Sequence, residues 1–258
     1  MQGTRDRRAR IIDLLSRSEQ VDVSALAKRF GVSDTSIRRD LAILERQNRL
    51  RRVHGGAVAP YAAGRETIVG VKMRERQQEK RRIAQAAAGL IGPGNVVFLD
   101  SGTTVAQIPA QLPPHLRMPA ALTAVTHSLL VVQQLASHEG GELICLGGLF
   151  LPDYQAFVGP QTVSGLKGFF ADIVFLGCDG LSPEAGITTP HVLIAEVGAT
   201  MAARARRVVA VADSSKLGRS GFTTIVPLSE VEILITDTGA RPDTVEEIRA
   251  AGVEVILA

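Results

Sequence analysis

The chain has no tryptophan, two tyrosines and only 4% aromatic residues. A stacking platform for single-stranded nucleic acid needs an aromatic face for each base, so that class is not expected. The two cysteines, Cys145 and Cys178, lie far apart near the ends of apolar runs. That usage fits buried free thiols rather than a disulfide, and no His/Cys spacing resembles a zinc site. Neither a metal nor a cofactor is therefore expected. The longest apolar stretches are strand-sized, well short of the roughly 20 residues that cross a bilayer. Met1-Gln2-Gly3-Thr4-Arg5 lacks the apolar core of a secretory signal, which places the protein in the cytoplasm with no membrane partner.

At 258 residues and 45% hydrophobic content, the chain has room for two domains with cores of their own. Its charge is unevenly spread. Residues 1–57 carry 13 Lys+Arg against 7 Asp+Glu, or +6, and the remainder 16 against 19, or −3, giving the total of +3. A basic head on a mildly acidic body points to a polyanionic partner for the head alone.

The head has a pattern to match. An apolar helix, Ser24-Ala25-Leu26-Ala27-Lys28-Arg29-Phe30, runs into Gly31, which permits a left-handed turn. Ser33 stands at the N-cap of a second helix, in which Ile37, Leu41 and Leu44 form one buried stripe. Thr35, Arg39, Ala42 and Arg46 fall on the opposite side, with Arg38 flanking. Two helices, a tight turn and an outward face of arginines and hydroxyls make a helix-turn-helix suited to the DNA major groove. Ser33, Thr35, Ser36, Arg38, Arg39 and Arg46 are the candidate contacts. An earlier helix, Thr4 to Ser18, turns Ile11, Leu14 and Leu15 inward and Arg5, Arg7, Arg8 and Arg10 outward. Alternating basic and apolar residues from Asn48 to Val58, ending at Gly55-Gly56, suggest a small hairpin, the wing of a winged helix-turn-helix. Arg51, Arg52 and His54 would touch phosphate or minor groove from it, though His54 serves equally well as a turn hydrogen bond. The organisation expected is a DNA-binding domain over residues 1–58, a linker over 59–75 and an α/β domain over 76–258.

A helix with Ile83, Ala87, Leu90 and Ile91 on one face opens the body and stops at Gly92-Pro93-Gly94. Strands follow at 95–99, 120–126, 142–146, 172–177, 207–212, 232–236 and 253–257, with a shorter one near 222–226. Helices near 103–111, 127–137, 159–168, 191–204 and 242–250 lie between them. Runs of Val, Ile and Leu without polar alternation, interleaved with helices, imply a mainly parallel sheet in an α/β domain.

Polar residues cluster where these strands end. Asp100-Ser101-Gly102-Thr103-Thr104, Thr126-His127-Ser128, Gly147-Gly148, Gly177-Cys178-Asp179-Gly180 and Asp213-Ser214-Ser215-Lys216 each follow a strand. Open α/β sheets bind ligands beyond the carboxyl ends of their strands. Free amides, hydroxyls and Lys216 suit a phosphate, and Asp100 and Asp179 suit sugar hydroxyls. Taken singly, Ser-Gly-Thr-Thr caps a helix and Gly-Gly makes a turn; their joint placement argues for a pocket.

Over nearly its whole length the chain resembles the DeoR-type transcriptional regulators. The head resembles them in Phe30-Gly31-Val32-Ser33, Ser36-Ile37-Arg38-Arg39-Asp40-Leu41 and His54-Gly55-Gly56-Ala57. The body does so in Asp100-Ser101-Gly102-Thr103-Thr104, Gly147-Gly148, Gly177-Cys178-Asp179-Gly180, Gly186-Ile187-Thr188-Thr189-Pro190 and Asp213-Ser214-Ser215-Lys216. The resemblance implies a winged helix-turn-helix joined to a sensor domain similar to ribose-5-phosphate isomerase and CoA-transferase-like folds. It implies a double-stranded DNA operator and a phosphorylated sugar or similar metabolite as partners, usually for a repressor of carbohydrate genes. Three positions depart from the family pattern: His127 and His191 where Asn is common, and Gly198 where a Lys is common beside Glu196. One cation fewer and two imidazoles more imply a less highly charged effector or a more pH-dependent one, unless both histidines are plain structural substitutions.

The function expected is a metabolite-responsive repressor, acting as a homodimer or homotetramer that presents two recognition helices to a repeated operator. The effector residues expected are Asp100, Ser101, Gly102, Thr103, Thr104, Thr126, His127, Gly147, Gly148, Asp179, Gly180, Glu196, Asp213, Ser214, Ser215 and Lys216. No catalytic residues are assigned. The alternative is a sugar-phosphate isomerase or transferase with an appended head, using Asp100, Asp179 or Glu196 as base.

Overall fold

The computed structural model describes residues 2–17, 20–47, 49–53, 55–58, 68–118, 120–136 and 141–258. The chain divides into two compact units, Met1–Glu66 and Thr67–Ala258.

The first unit runs α1 (Gln2–Arg17), β1 (Gln20–Asp22), α2 (Val23–Phe30), α3 (Asp34–Arg46), β2 (Arg51–Val53) and β3 (Gly56–Val58). Asp22 starts α2 by accepting from the amides of Ser24 at 2.8 Å and Ala25 at 3.1 Å. Gly31 ends it in the left-handed region, φ 64°, which is what releases the chain into the turn. Ser33 then caps α3, its Oγ 3.3 Å from the Ser36 amide. The inward stripe is as the spacing requires: Ile37, Leu41 and Leu44 pack with Ile11, Leu15, Leu26 and Leu50 in one core. The wing gains a third strand, for β1 pairs antiparallel with β3 on the side away from β2. One expectation fails here. Arg7 and Arg8 do not face outward; both donate to Asp40, at 2.6 and 2.7 Å, because that carboxylate is buried in α3 and needs compensation.

The second unit opens with α4 (Ile68–Arg74) and α5 (Gln77–Ala88). The span 59–75 read as linker thus holds a helix; residues 59–67 lie outside the described residues. Then come β4 (Val96–Leu99), α6 (Ile108–Gln111), β5 (Thr123–Thr126), α7 (Leu129–Leu135), β6 (Glu142–Cys145), β7 (Leu149–Leu151), β8 (Ala156–Val158) and α8 (Pro160–Leu166). The chain continues with β9 (Ala171–Leu176), β10 (Gly180–Ser182), β11 (Gly186–Thr189), α9 (Val192–Ala202), β12 (Ala205–Val211), β13 (Thr223–Val226), β14 (Ile233–Thr236), α10 (Pro242–Ala250) and β15 (Glu254–Leu257).

Seven strands form one sheet in the order β15-β14-β12-β9-β4-β5-β6, with parallel pairing throughout. Alternate residues feed opposite layers: Val97, Leu99, Ile173, Phe175, Val209 and Val211 pack on the α5 side. Phe98, Val174, Leu176, Val208 and Ala210 pack against α9 and α10 on the other. Burial on both faces is why these strands read as unbroken apolar runs. From β4 the strand order proceeds outward in both directions, so the β4–β9 seam is the topological switch point, where such sheets bind ligands.

The antiparallel additions were less visible in sequence. β7 and β8 form a hairpin, and β10, β11 and β13 a small separate sheet. The helix expected at 103–111 is a 3-10 turn over Val105–Gln107 followed by the short α6. Pro109 offers no amide to an earlier carbonyl, so a continuous helix through it loses a bond. The strand expected from 120 starts at Thr123, after Ala120 takes φ 56°. Cys145 is exposed rather than buried.

Candidate functional site

In the head, burial of the Ile37–Leu41–Leu44 stripe leaves Thr35, Arg38 and Arg39 exposed on α3, with Ser36 partly so. Ser33 spends its hydroxyl on the helix cap and on Ser36 Oγ, 3.1 Å away, so it sets where the face begins. Arg52, exposed on β2, donates its amide to Glu45 Oε1 at 2.8 Å, tying the wing to α3. The side chains of Arg46 and Arg51, and the whole of His54, lie outside the described residues.

In the body, a polar cleft opens at the switch point. Its lining joins Asp100 to Thr104 after β4, Gly177 to Asp179 after β9, and Asp213 with Lys216 after β12. Gly177 is required there, since a Cβ would sit 2.9 Å from the Ser101 carbonyl oxygen. Eight of the residues expected in the site are thus brought together: Asp100, Ser101, Gly102, Thr103, Thr104, Asp179, Asp213 and Lys216.

The other eight stand outside the lining. Thr126 is buried, donating to the Leu99 carbonyl at 2.6 Å and accepting from the Ser128 amide. His127 sits behind Asp100, in contact with its carboxylate. Gly147 and Gly148 lead into the β7–β8 hairpin beside Thr162. Gly180 begins β10 against the Arg219 backbone. Ser214 and Ser215 form the turn that carries Lys216: Ser214 donates its amide to Asp237, and Ser215 donates to Asp213. Glu196 is exposed on α9.

Lys72, Lys80, Tyr154, Cys178 and Thr189 line the cleft without having been expected there. Lys72 pairs with Asp179, whose other oxygen accepts from Thr189 Oγ1 at 2.9 Å. Lys80 is 3% exposed and donates to the carbonyls of Lys72 and Glu75. Burial pulls its ammonium below the ordinary lysine value, while Asp213 acts the other way. A sequence signal for it existed: Lys80 shares a helical face with Ile83, Ala84 and Ala87, an apolar stripe where a lysine has no business unless it serves a site. Tyr154, in the turn of the β7–β8 hairpin, is raised by burial and then by Asp179, so its phenol remains a donor. Cys178 is partly exposed, and burial pushes its thiol up to about 12, which disfavours the thiolate at neutral pH.

Behind the Asp213 turn, Arg76 donates to Ser214 Oγ at 2.7 Å and lies 3.5 Å from both Asp213 and Asp237. Burial alone would raise Asp237, but the donors from Ser214 and Gly239, with Arg76, hold it below the ordinary carboxylate value. His191 packs edge-on to Tyr154, with ring centroids 5.4 Å apart, and its buried Nδ1 has no partner among the described residues. Gly198 lies tight against β13, where a Cβ would come 2.6 Å from the Ile225 Cγ2 methyl, so a larger side chain at that position of α9 requires Ile225 to shift.

The cleft therefore combines ammonium groups, hydroxyls and loop amides with carboxylates, a donor and acceptor set suited to a small hydroxylated anion. The DeoR C terminal sensor domain matches residues 75–238, and the DeoR-like helix-turn-helix domain matches residues 7–62. The HTH-type transcriptional regulator GlpR of Haloferax volcanii is 37% identical over 97% of this chain and 96% of its own length. A putative aga operon transcriptional repressor of Escherichia coli O157:H7 is 37% identical over 99% of this chain and 94% of its own. Among solved structures, ribose 5-phosphate isomerase A of Methanocaldococcus jannaschii aligns with a TM-score of 0.40 and 18% identity over 55% of each chain. With both of its parts matched and relatives of this identity spanning its length, the chain belongs to the DeoR family of transcriptional regulators.

Proposed function

We propose that the protein is a repressor of carbohydrate-metabolism genes that binds a double-stranded operator through α3 and the wing, and that a phosphorylated sugar or related small anionic metabolite in the switch-point cleft alters its operator affinity. The observation that carries this reading is the pairing, in one chain, of an exposed basic helix face with a cleft built from three lysines and strand-end loops. A relative named as an operon repressor supports the sign of regulation. On the DNA side the residues are Thr35, Ser36, Arg38, Arg39 and Arg52, with Ser33 setting the helix start. On the effector side they are Ser101 to Thr104, Lys216, Lys80 and Lys72, which suit the anionic group, and Asp100 and Asp179, which suit hydroxyls. A ligand switches the protein only if it binds the DNA-competent and DNA-incompetent states with different affinity.

The test begins with selection of bound fragments from the source chromosome, followed by gel shifts against a panel of sugar phosphates ranked by thermal shift. Lys216→Ala is expected to abolish the effector response while leaving operator binding in place. A variant that still responds normally moves the effector site elsewhere, and a protein that prefers no fragment at low ionic strength ends the reading altogether.

A further inference from the structure

His127 is 0% exposed, and both of its ring nitrogens meet oxygen acceptors. Nδ1 lies 2.7 Å from the carbonyl oxygen of Phe157 on β8, and Nε2 lies 2.9 Å from Oδ1 of Asp100. The backbone of His127 is latched to the same residue, since the Phe157 amide donates to its carbonyl at 2.8 Å. A carbonyl oxygen cannot donate, so Nδ1 carries a hydrogen. The other oxygen of Asp100, Oδ2, accepts from the Gly177 amide at 3.2 Å. One proton must therefore lie between Nε2 and Oδ1, or two lone pairs would face each other in a buried site. The Gly177 amide on Oδ2 holds Asp100 as the acceptor of the pair, which puts that proton on Nε2 of the ring.

The consequence concerns the charge of the cleft. Its lining holds Lys72, Lys80 and Lys216 against Asp100, Asp179 and Asp213, a balanced set. Behind it Arg76 and Asp237 also balance. The proton on His127 cancels Asp100 and makes the surroundings one unit more positive than a neutral ring would leave them. Because Lys72 is already committed to Asp179, the excess is felt at Lys216 and Lys80, and the Lys216 ammonium has no hydrogen-bonding or ionic partner among the described residues.

We propose that His127 is a specificity-determining positioning residue: held as an imidazolium between Phe157 and Asp100, it fixes the Asp100 carboxylate and neutralises it, so that the cleft takes a dianionic group such as a phosphate. It touches no ligand itself and acts through Asp100. The charge-setting half of this rests on the effector reading above; the protonation of the ring does not.

Two measurements on the full-length protein separate these halves. Nitrogen NMR of the His127 ring at about pH 7.5 is expected to show two N–H groups in the wild type and one in Asp100→Asn. A bare ring nitrogen in the wild type, or a doubly protonated ring in Asp100→Asn, overturns the assignment. Titration with inorganic phosphate is expected to show His127→Asn binding on the order of tenfold more weakly than wild type, as loss of one nearby charge requires. Equal affinity overturns the charge-setting role. A wild type indifferent to phosphate, with two N–H groups still present, overturns the effector reading and with it that role, while leaving the protonated couple standing.

Discussion

Asp40 shows what a single buried charge demands of its surroundings. It is 1% exposed on the inner side of the recognition helix and is answered by two guanidinium groups from α1. Removing the carboxylate leaves two arginines half-enclosed and unanswered, and breaking a buried pair in this way costs roughly 3–5 kcal/mol. Asp40→Ala is accordingly expected to lower the melting transition of the head, read by calorimetry, without altering that of the body. The pairing also explains why the sequence reading of α1 went astray: helical periodicity assigned Arg7 and Arg8 to solvent, and only the tertiary position of Asp40 draws them in. Asp237 makes the complementary case for acid. Its native value lies below the ordinary 3.8, so its contribution is present above that pH and is lost as the pH falls through the depressed value. Thermal melts of Asp237→Asn are therefore expected to decline less steeply than wild type as the pH falls below about 3.8, where the wild type pays for protonating the group. Coincident acid limbs would remove Asp237 from the account.

Elements differed in how far they announced themselves. The parallel strands were legible because burial on both faces leaves an unbroken apolar run, and α3 was legible because Ile37, Leu41 and Leu44 fix its phase. The β7–β8 hairpin was not. Leu149-Phe150-Leu151 is too short to show a period, and its Leu149 is exposed. The cleft lining follows the same rule: its residues at the ends of parallel strands were legible, whereas Tyr154 comes in on the hairpin and Lys72 on a helix inside an apparent linker. Thr126 and the Gly147-Gly148 pair, also at strand ends, stand outside the lining and engage backbone or Thr162 instead. The exposed face of α3 yields the prediction proper to this scale. Arg38→Ala and Arg39→Ala are each expected to weaken operator binding by about 1–3 kcal/mol, a factor of roughly 5 to 150 in gel shifts. Retained affinity in both would take α3 out of the interface.

For the molecule as a whole, the separation of charge sets the behaviour. The head carries +6 over residues 1–57 and the body −3, so long-range attraction to DNA belongs to one end. Each phosphate contact releases counterions, so operator affinity is expected to drop steeply with salt, and each arginine removed from α3 should flatten that slope by about one. A winged helix-turn-helix reads one half-site, which is why assembly into dimers or tetramers is expected on a repeated operator; sedimentation that finds only monomer at micromolar concentration, with and without DNA, would contradict it. The arrangement of the main sheet adds something further. Its left and right portions, β6-β5-β4 and β9-β12-β14-β15, meet along a single strand pair, and the cleft draws its loops from both portions. A guest lodged against Ser101 and Lys216 together would act as a stitch across that join, so occupancy would tighten the sheet against shear before any signal left the body.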